Sequence, residues 1–297
     1  MFRFPAPEMP FWISEQLPFD RYAVDVGDGL RMHVMEQGEG TPVLSIHGNP
    51  TWAYLSRKIA AELEGEPIRL ILPDLIGLGF SDAPPDRRAH TLRNHSDWVV
   101  SLLRQLDLTS VVAVVQDWGG PIGMHALSRL PGLMGGLVVL NTSIGAPKPG
   151  FKPTAFHRFF STRMGAASVE LIRPHHWLRF AAADSSAISP LAKRSYGYPL
   201  RCKTAREAAV GLVRMVPNDI DHPSVPLLRE SGGYLSSFDG PAAIVWGEND
   251  PILGRLRARH ERTLPKAEVT VTPAGHFVQE EAPQEIATAI LSVVSRS

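Results

Sequence analysis

Cysteine is almost absent from this sequence, because Cys202 is the only one in 297 residues. It has no partner for an internal disulfide and no second thiolate for a metal site, so we expect a reducing compartment, by default the cytoplasm. An excess of one charge is also lacking, since 30 basic residues balance 30 acidic ones. Nucleic acid and anionic membranes are therefore not expected as partners, and a small neutral organic substrate suits this balance better.

Long apolar runs are missing as well. No stretch approaches the roughly 18 apolar residues that a membrane span needs. The first 19 residues are interrupted by Pro5, Pro7 and Pro10 and do not resemble a signal peptide. The sequence contains no internal repeat and no low-complexity tract. Its length suits one large domain, or one domain that carries a sizeable insertion.

Short β-branched runs alternate with longer helical patterns along most of the chain. This alternation predicts an α/β fold, with a mostly parallel sheet covered by helices and an antiparallel start. We predict helices from Leu92 to Leu106, from Gly119 to near Leu130, and from Pro283 to Val294. Eight runs have the composition of strands, at residues 21–26, 30–36, 42–48, 68–74, 110–117, 136–143, 242–250 and 268–275.

One segment, residues 143–226, interrupts this alternation. It follows the sixth predicted strand, contains no convincing strand, and has the composition of short helices. An insertion at that edge would lie over the place where open α/β sheets bind ligands. We therefore predict a core domain of residues 1–142 and 227–297 and a helical lid, the cap, of residues 143–226. The cap is rich in aromatic residues, namely Phe151, Phe156, Phe159, Phe160, Trp177, Phe180, Tyr196 and Tyr198.

The strongest signal for chemistry is VVQDWGGPIGM at residues 114–124, where a predicted strand runs directly into Asp117. This order is typical of a nucleophile elbow, a tight strand-to-helix turn that exposes one side chain above the sheet. The serine version of the motif, Gly-x-Ser-x-Gly, occurs nowhere in the chain. A carboxylate is ionised at neutral pH and needs no base to attack carbon. We predict an α/β-hydrolase fold with Asp117 as nucleophile; the alternative is an aspartate that only caps the helix.

A second segment, SIHGNPTWAYLSR at residues 45–57, follows another predicted strand. A His-Gly-x-Pro loop at this point commonly supplies one backbone N–H of an oxyanion hole, and the residue after the nucleophile supplies the other. The two donors would be Asn49 and Trp118. His47 precedes the loop, and we expect it to hold the loop by hydrogen bonds rather than to act as a base.

The general base is predicted at His276, in PAGHFVQEEAP directly after the last strand. The chain order of this fold, nucleophile, acid, then histidine, places the base near the C-terminus. For the acid we predict Asp250, at the end of the seventh strand, because a carboxylate there can fix the histidine tautomer. Asn141, at the end of the sixth strand, is neutral and cannot stabilise an imidazolium comparably, and Glu248 is a weaker candidate.

A metal site is not predicted. The adjacent pair His175 and His176 is the one arrangement that invites a metal, but adjacent histidines rarely chelate one ion without a third ligand at suitable spacing. No such ligand is recognisable in the sequence.

Together, HGNPTWAYLSR, VVQDWGGPIGM, WGENDP and GHFVQEEAP resemble the haloalkane dehalogenases, in order and spacing, over nearly the whole chain. The segment YGYPL at residues 196–200 resembles a Tyr-x-x-Pro-Phe element of that family's lid, with Leu200 in place of phenylalanine. The resemblance implies an eight-stranded α/β-hydrolase core with a lid after the sixth strand and no cofactor. Halogenated alkanes, halide and water are the partners that it implies.

The resemblance also implies roles for single residues. Asp117 would displace halide to form an alkyl ester, which a water activated by His276 would hydrolyse. The leaving halide would be held by the indole N–H of Trp118 and by either Asn49 or the lid residue Trp177. Asn49 together with Asp250 is similar to the subgroup that pairs an Asn–Trp halide clamp with an Asp-His-Asp triad.

Two other functions stay open at this point. Epoxide hydrolases share the aspartate nucleophile and activate the ring oxygen with lid tyrosines, for which Tyr196 and Tyr198 lie in the right segment. Asn49 argues against them, because those enzymes usually carry an aromatic residue there. A small-molecule binding protein on the same fold is the other alternative, since the fold alone does not determine function.

Overall fold

A computed structural model describes residues 2–148, 150–151, 158–159, 162, 164–165, 167–168 and 178–297, without the side chains of residues 179 and 180. The predictions for Phe156, Phe160, Trp177 and the pair His175–His176 fall outside these residues. The strands of the described part are β1 (Phe4–Pro5), β2 (Asp20–Asp25), β3 (Arg31–Gln37), β4 (Thr41–Ile46), β5 (Ile68–Pro73), β6 (Val111–Asp117), β7 (Met134–Thr142), β8 (Ala242–Gly247) and β9 (Glu268–Thr272).

These strands form one sheet in the order β1-β2-β3-β5-β4-β6-β7-β8-β9. The six strands from β5 to β9 in that order are parallel to one another, whereas β1, β2 and β3 pair antiparallel with their neighbours. The run Val111–Val115 is buried along its whole length, as expected for a strand that is covered on both faces. The prediction of a mostly parallel α/β-hydrolase sheet with an antiparallel start is confirmed.

The sequence predicts eight strands, whereas the described part of the chain has nine. All eight predicted runs contain a strand, and β1 adds a ninth through the pairs Phe4–Ala23 and Pro5–Tyr22. A two-residue strand is too short to show any alternation in the sequence. Pro5 cannot donate a backbone hydrogen bond, but it lies on an edge strand, where this loss is tolerated.

Helices cover the sheet, and two of them begin and end where the sequence predicts. The described helices are α1 (Phe11–Ser14), α2 (Arg57–Glu62), α3 (Leu92–Leu106), α4 (Gly119–Ser128), α5 (Leu178–Ala181), α6 (Pro190–Gly197), α7 (Lys203–Arg214), α8 (Ser224–Ser237), α9 (Arg257–Thr263), α10 (Val278–Glu281) and α11 (Pro283–Val294). The bounds of α3 and α11 match the prediction, and α4 ends two residues before Leu130. Within the described ranges, none of these helices is long and apolar enough to cross a membrane.

The buried apolar residues form two clusters on opposite faces of the sheet. Along β6, Val111, Ala113 and Val115 belong to one cluster, and Val112 and Val114 belong to the other. Successive side chains of a strand point to opposite faces, so the alternation separates the two cores. Helices α3, α4 and α8 pack on the first face, whereas α2 and α11 pack on the second.

Between β7 and β8, the described residues contain the helices α5, α6, α7 and α8 and no strand. Helix α8 crosses the predicted boundary at residue 226 and packs on α3 and α4. Its apolar face therefore belongs to the core, while its first residues still belong to the predicted cap.

The turn from β6 into α4 is tight because Gly119 lies against the backbone of β4. A Cβ at this position would overlap the carbonyl oxygen of Ile46 and crowd the carbonyl oxygen of His47. A backbone carbonyl at the centre of the sheet cannot move aside without breaking strand pairing. The close approach therefore requires glycine.

We predict that Gly119→Ala lowers the free energy of unfolding by about 2–3 kcal/mol, because the added methyl overpacks the elbow. Gly233→Ala is the matched control. Gly233 is exposed within α8 and has nothing within 4 Å of an added Cβ. This control should leave stability unchanged or raise it by up to about 1 kcal/mol. Urea unfolding measures both changes, and equal stability of the two variants would contradict the packing argument.

Candidate active site

Asp117 lies at the junction of β6 and α4 with a left-handed backbone, at φ +48°. This conformation is unfavourable for a residue with a side chain and is concentrated at functional sites. Its carboxylate is largely buried, with 17% of the side chain exposed. Oδ1 accepts the backbone N–H of Asn49 at 2.8 Å, and the hydroxyl of Thr142 donates to the Asp117 carbonyl at 2.6 Å. Oδ1 is thus held by a hydrogen bond, whereas Oδ2 accepts none from the described residues.

The loop that carries Asn49 approaches Asp117 very closely. A Cβ on Gly48 would overlap the Cβ of Asp117, so only glycine permits this distance. His47 secures the loop, because its Nε2 accepts the N–H of Leu75 at 2.9 Å and its Nδ1 lies 2.9 Å from the Gly48 carbonyl. Burial lowers the pKa of His47. With both ring nitrogens occupied, His47 has the structural position that the sequence predicts.

His276 stands between two carboxylates at the end of the loop that follows β9. Its Nδ1 donates to Asp250 Oδ2 at 2.8 Å, and its Nε2 lies 3.6 Å from Asp117 Oδ2. The backbone N–H of His276 donates to the Ala181 carbonyl of α5 at 2.7 Å. The structure therefore brings together Asp117, His276 and Asp250, the three residues predicted as nucleophile, base and acid.

Asp250 is buried, and both of its oxygens are occupied. Oδ1 accepts the backbone N–H groups of Ile252 and Leu253, while Oδ2 receives His276 and the amide of Asn141. Burial alone would raise the pKa of Asp250, but the attraction of His276 and these hydrogen bonds outweigh burial and lower it. The other candidate acid, Glu248, is exposed.

The negative charges of the two carboxylates, Asp117 and Asp250, determine the direction in which the pKa of His276 is shifted. Burial opposes a charged imidazole, but Asp250 and Asp117 together outweigh burial and raise the pKa of His276 to about 10. The imidazole is therefore protonated at neutral pH while Asp117 carries its charge. Any reaction that neutralises Asp117 removes one of these attractions and lowers the pKa of His276.

Two residues near His276 escaped the sequence analysis in these roles. Asn141 donates 2.9 Å hydrogen bonds to Asp250 Oδ2 and to the Gly247 carbonyl, and its Oδ1 accepts the Gly247 N–H. Gln116 donates through its side-chain amide to the His276 carbonyl at 3.2 Å. Both are buried polar residues in apolar strands. Their one signal in the sequence is position, because Gln116 directly precedes Asp117 and Asn141 is the second-to-last residue of β7.

The two residues predicted to hold a leaving anion lie on either side of Asp117. Trp118 is 9% exposed, and no hydrogen bond joins its indole N–H to a described residue. Asn49 directs one amide hydrogen to the Ala209 carbonyl of α7 at 3.0 Å. No local sequence pattern predicts this contact, which ties the Asn49 side chain to the cap and leaves its second amide hydrogen for another acceptor.

The two lid tyrosines have partners of their own. Tyr196 is 1% exposed, and its hydroxyl donates to Glu280 Oε1 at 2.5 Å. Glu280 also receives two hydrogen bonds from Arg57 at 2.5 and 2.9 Å. The hydroxyl of Tyr198 accepts a hydrogen bond from Arg201. The bond from Tyr196 to Glu280 joins the cap to the core, whereas Tyr198 and Arg201 both lie in the cap.

Within the described ranges, no group of three or more His, Cys, Asp or Glu side chains could hold a metal ion. The pair His175–His176 lies outside those ranges. The chemistry that the described site offers is that of a carboxylate, a histidine and a second carboxylate, with backbone N–H groups beside them.

Replacing Asp250 by Asn should lower the pKa of His276 from about 10 toward its ordinary value of 6.5, because the largest attraction is removed. NMR titration of the His276 ring measures this shift. A pKa raised on folding stabilises the protein fully below pH 6.5, and this stabilisation is lost as the pH rises to about 10. The stability difference between wild type and Asp250→Asn should shrink over that interval. An unchanged His276 pKa would contradict the charge argument.

Comparisons with known proteins agree with this geometry. A family model described as the Alpha/beta hydrolase family matches residues 43–289. A haloalkane dehalogenase of Mycolicibacterium paratuberculosis is 32% identical over 299 residues, which cover 96% of each chain. A cis-3-alkyl-4-alkyloxetan-2-one decarboxylase of Xanthomonas campestris is 30% identical over 300 residues, covering 92% of this chain and 95% of the relative.

Among solved structures, the tetrameric haloalkane dehalogenase DpaA from Paraglaciecola agarilytica superimposes with a TM-score of 0.84. It is 26% identical, and the match covers 99% of both chains. The likeness thus extends over nearly the whole chain. On the family match and the identity over nearly the whole length, this chain belongs to the haloalkane dehalogenases, hydrolases of the α/β-hydrolase family.

Proposed function

We propose that this protein converts halogenated alkanes to alcohol, halide and a proton through a covalent alkyl ester of Asp117. The proposal rests on the different surroundings of the two carboxylate oxygens of Asp117. Oδ1 is held by the Asn49 N–H at 2.8 Å, whereas Oδ2 accepts no hydrogen bond from a described residue and lies 3.6 Å from Nε2 of His276. The free oxygen can attack carbon, and the held oxygen becomes the ester carbonyl, which a water can then attack.

In the first step, Oδ2 of Asp117 forms a bond to the sp³ carbon as the carbon–halogen bond breaks and the halide leaves with the electron pair. No proton moves, so the protonated His276 does not hinder this step. The leaving halide is received by the indole N–H of Trp118 and by the second amide hydrogen of Asn49. Donors aimed at developing negative charge lower the barrier because they are in place before the reaction begins.

In the second step, His276 acts as general base. Esterification has removed the charge of Asp117, so the pKa of His276 falls and the imidazolium releases its Nε2 proton to solvent. The neutral imidazole can then take a proton from water. The tetrahedral oxyanion on the former Oδ1 is stabilised by the backbone N–H groups of Asn49 and Trp118. Asp250 holds the ring through Nδ1 and stabilises the imidazolium that forms. The first step thereby prepares the base for the second.

Residues 143–226 serve, in this proposal, as the cap that keeps bulk water from the carboxylate. The Asn49 amide bound to Ala209 in α7, and Tyr196 bound to Glu280, are the contacts that support this role. Within the haloalkane dehalogenases, we propose the subgroup that has an Asn–Trp halide clamp and an Asp-His-Asp triad. Asn49 and Asp250 are the residues that support this choice. The free, exposed Cys202 suits a reduced cytoplasm, the compartment that we propose.

Epoxide hydrolysis is less well supported. It would need a lid tyrosine to donate to the ring oxygen, yet the hydroxyl of Tyr196 donates to buried Glu280 and that of Tyr198 accepts from Arg201. A binding protein without turnover would not need Asp117 and Asp250 to hold a buried imidazole between them, since burying charges is costly unless they are paired.

A second candidate substrate class is the β-lactones. The relative from Xanthomonas campestris is named for a decarboxylase of cis-3-alkyl-4-alkyloxetan-2-ones, at an identity close to that of the dehalogenase relatives. A strained four-membered lactone also offers an electrophilic carbon to a carboxylate. The donors of Trp118 and Asn49, which can receive a leaving halide, favour the halogenated alkanes, and the assay includes both classes.

The substrate assay compares 1-bromobutane, 1,2-epoxybutane and a cis-3,4-dialkyl-oxetan-2-one at equal concentration. We expect bromide and 1-butanol from the first, with turnover on the order of 1 per second or faster. Asp117→Ala should abolish bromide release while unfolding at the same urea concentration as wild type. Diol formation faster than bromide release would favour an epoxide hydrolase, and alkene with carbon dioxide would favour the lactone reaction. Binding without any product would favour the binding protein.

Two variants, one at Asp250 and one at its hydrogen-bond partner Asn141, test whether Asp250 is the acid. Asp250→Asn should reduce bromide turnover by roughly 100- to 10,000-fold, because a neutral partner neither fixes the tautomer nor stabilises the imidazolium. Asn141→Ala leaves the charge of Asp250 in place and removes one hydrogen bond, so we expect a loss of about tenfold or less. Steady-state bromide release measures both, and equal losses would mean that Asp250 is not the acid.

A further inference from the structure

Gln116 is the described polar side chain closest to the reacting nitrogen of His276 that has no role in the steps above. It precedes Asp117 on β6 and is 1% exposed. Its amide nitrogen lies 3.2 Å from the His276 carbonyl, to which it donates, and 3.3 Å from His276 Nε2. The hydrogen bond to the His276 carbonyl thus fixes the carboxamide beside the imidazole ring.

The oxygen of the same carboxamide is left without a partner. Gln116 Oε1 is buried, and nothing in the part of the chain that the structure describes donates a hydrogen bond to it. A buried acceptor without a donor is unfavourable by about 1–3 kcal/mol, and native proteins usually satisfy such atoms with ordered water. The amide nitrogen is committed to His276, so the oxygen is free to accept.

Ester hydrolysis needs a water with a defined orientation. One of its protons must face His276 Nε2, and a lone pair must face the ester carbon of Asp117. An acceptor for the second proton fixes the rotation of the water about the first hydrogen bond. We propose that Gln116 Oε1 is this acceptor, so that Gln116 and His276 together hold the water that opens the alkyl ester. This inference rests on the proposed two-step function.

Asn49 also has a buried oxygen without a partner, but its position is less suitable. Its backbone N–H holds Oδ1 of Asp117, and its amide reaches Ala209 of the cap. His276 is on the other side, near Oδ2. Gln116 is in contact with the ring nitrogen that receives the proton, and Asn49 is not in contact with His276 among the described residues.

The step balances without any additional reactant. The water oxygen forms a bond to the carbonyl carbon of Asp117 while one of its protons moves to His276 Nε2. The bond from that carbon to the alkoxy oxygen then breaks, and the departing alkoxide takes the proton from His276 as it becomes the alcohol. The remaining hydroxyl proton of the Asp117 carboxyl group passes to His276, which restores both the carboxylate and the protonated imidazole. The one proton released by the whole reaction is the proton that His276 lost to solvent after esterification.

The test separates the two steps. Enzyme is mixed with 1-bromobutane and quenched over time, and bromide, 1-butanol and butylated protein are measured separately. Gln116→Met has nearly the same volume but neither accepts nor donates at the amide position. We expect the first equivalent of bromide per active site to appear within about twofold of the wild-type rate, while 1-butanol formation slows roughly 10- to 100-fold and butylated protein accumulates.

The matched control is Gln279→Met. Gln279 is also buried, at 2% exposure, and its oxygen likewise has no described partner. It lies in α10, so this variant should keep both rates within about twofold of wild type. Gln116→Asn keeps a carboxamide in β6 but withdraws it by one methylene, and it should slow only 1-butanol formation.

Three outcomes would overturn the inference. The first is 1-butanol formation at the wild-type rate in both Gln116 variants. The second is an equal loss of both steps, which would indicate a merely structural role. The third is a loss in Gln279→Met as large as that in Gln116→Met. Failure of the wild-type protein to release any bromide would instead defeat the proposed function, and this inference with it.

Discussion

A buried cation between two buried carboxylates is the interaction on which the site depends. His276 has Asp250 on one ring nitrogen at 2.8 Å and Asp117 near the other at 3.6 Å. Charges of this kind are stable inside a protein only when they are paired and hydrogen-bonded. The pairing also gives the two carboxylates different tasks, because Asp250 is fully bonded whereas Asp117 keeps one oxygen free. Neutralising Asp117 would lower the pKa of His276, and in the proposed mechanism the first step thereby prepares the second.

The sheet makes this arrangement possible by ending parallel strands at one edge. Asp117 ends β6, Asp250 follows β8, and His276 follows β9. The close packing of Gly119 against β4 starts α4 at once and leaves Asp117 in its left-handed conformation. Gly48 lets the neighbouring loop reach the carboxylate. The position of each reacting atom therefore depends on backbone packing in the sheet as much as on the side chains themselves.

The sequence was sufficient to predict the sheet, the bounds of α3 and α11, and the residues that meet at the site. These features have strong local signals, such as an apolar strand that runs into Asp117 and a histidine directly after the last strand. Other features depend on packing between distant segments. The bond from Asn49 to Ala209 joins residues 160 positions apart, and no local pattern encodes it. Gln116 and Asn141 are polar residues within apolar strands, whose partners become apparent only in three dimensions.

The central claim is that carboxylate attack and base-catalysed hydrolysis are separate steps that use different residues. It is tested most directly by incubating His276→Phe with 1-bromobutane and measuring bromide and intact protein mass together. This variant should release about one bromide per active site and then stop. The protein should be heavier by one butyl group, located on the peptide that contains Asp117. Sustained turnover by this variant, or a butyl group on any other residue, would contradict the account.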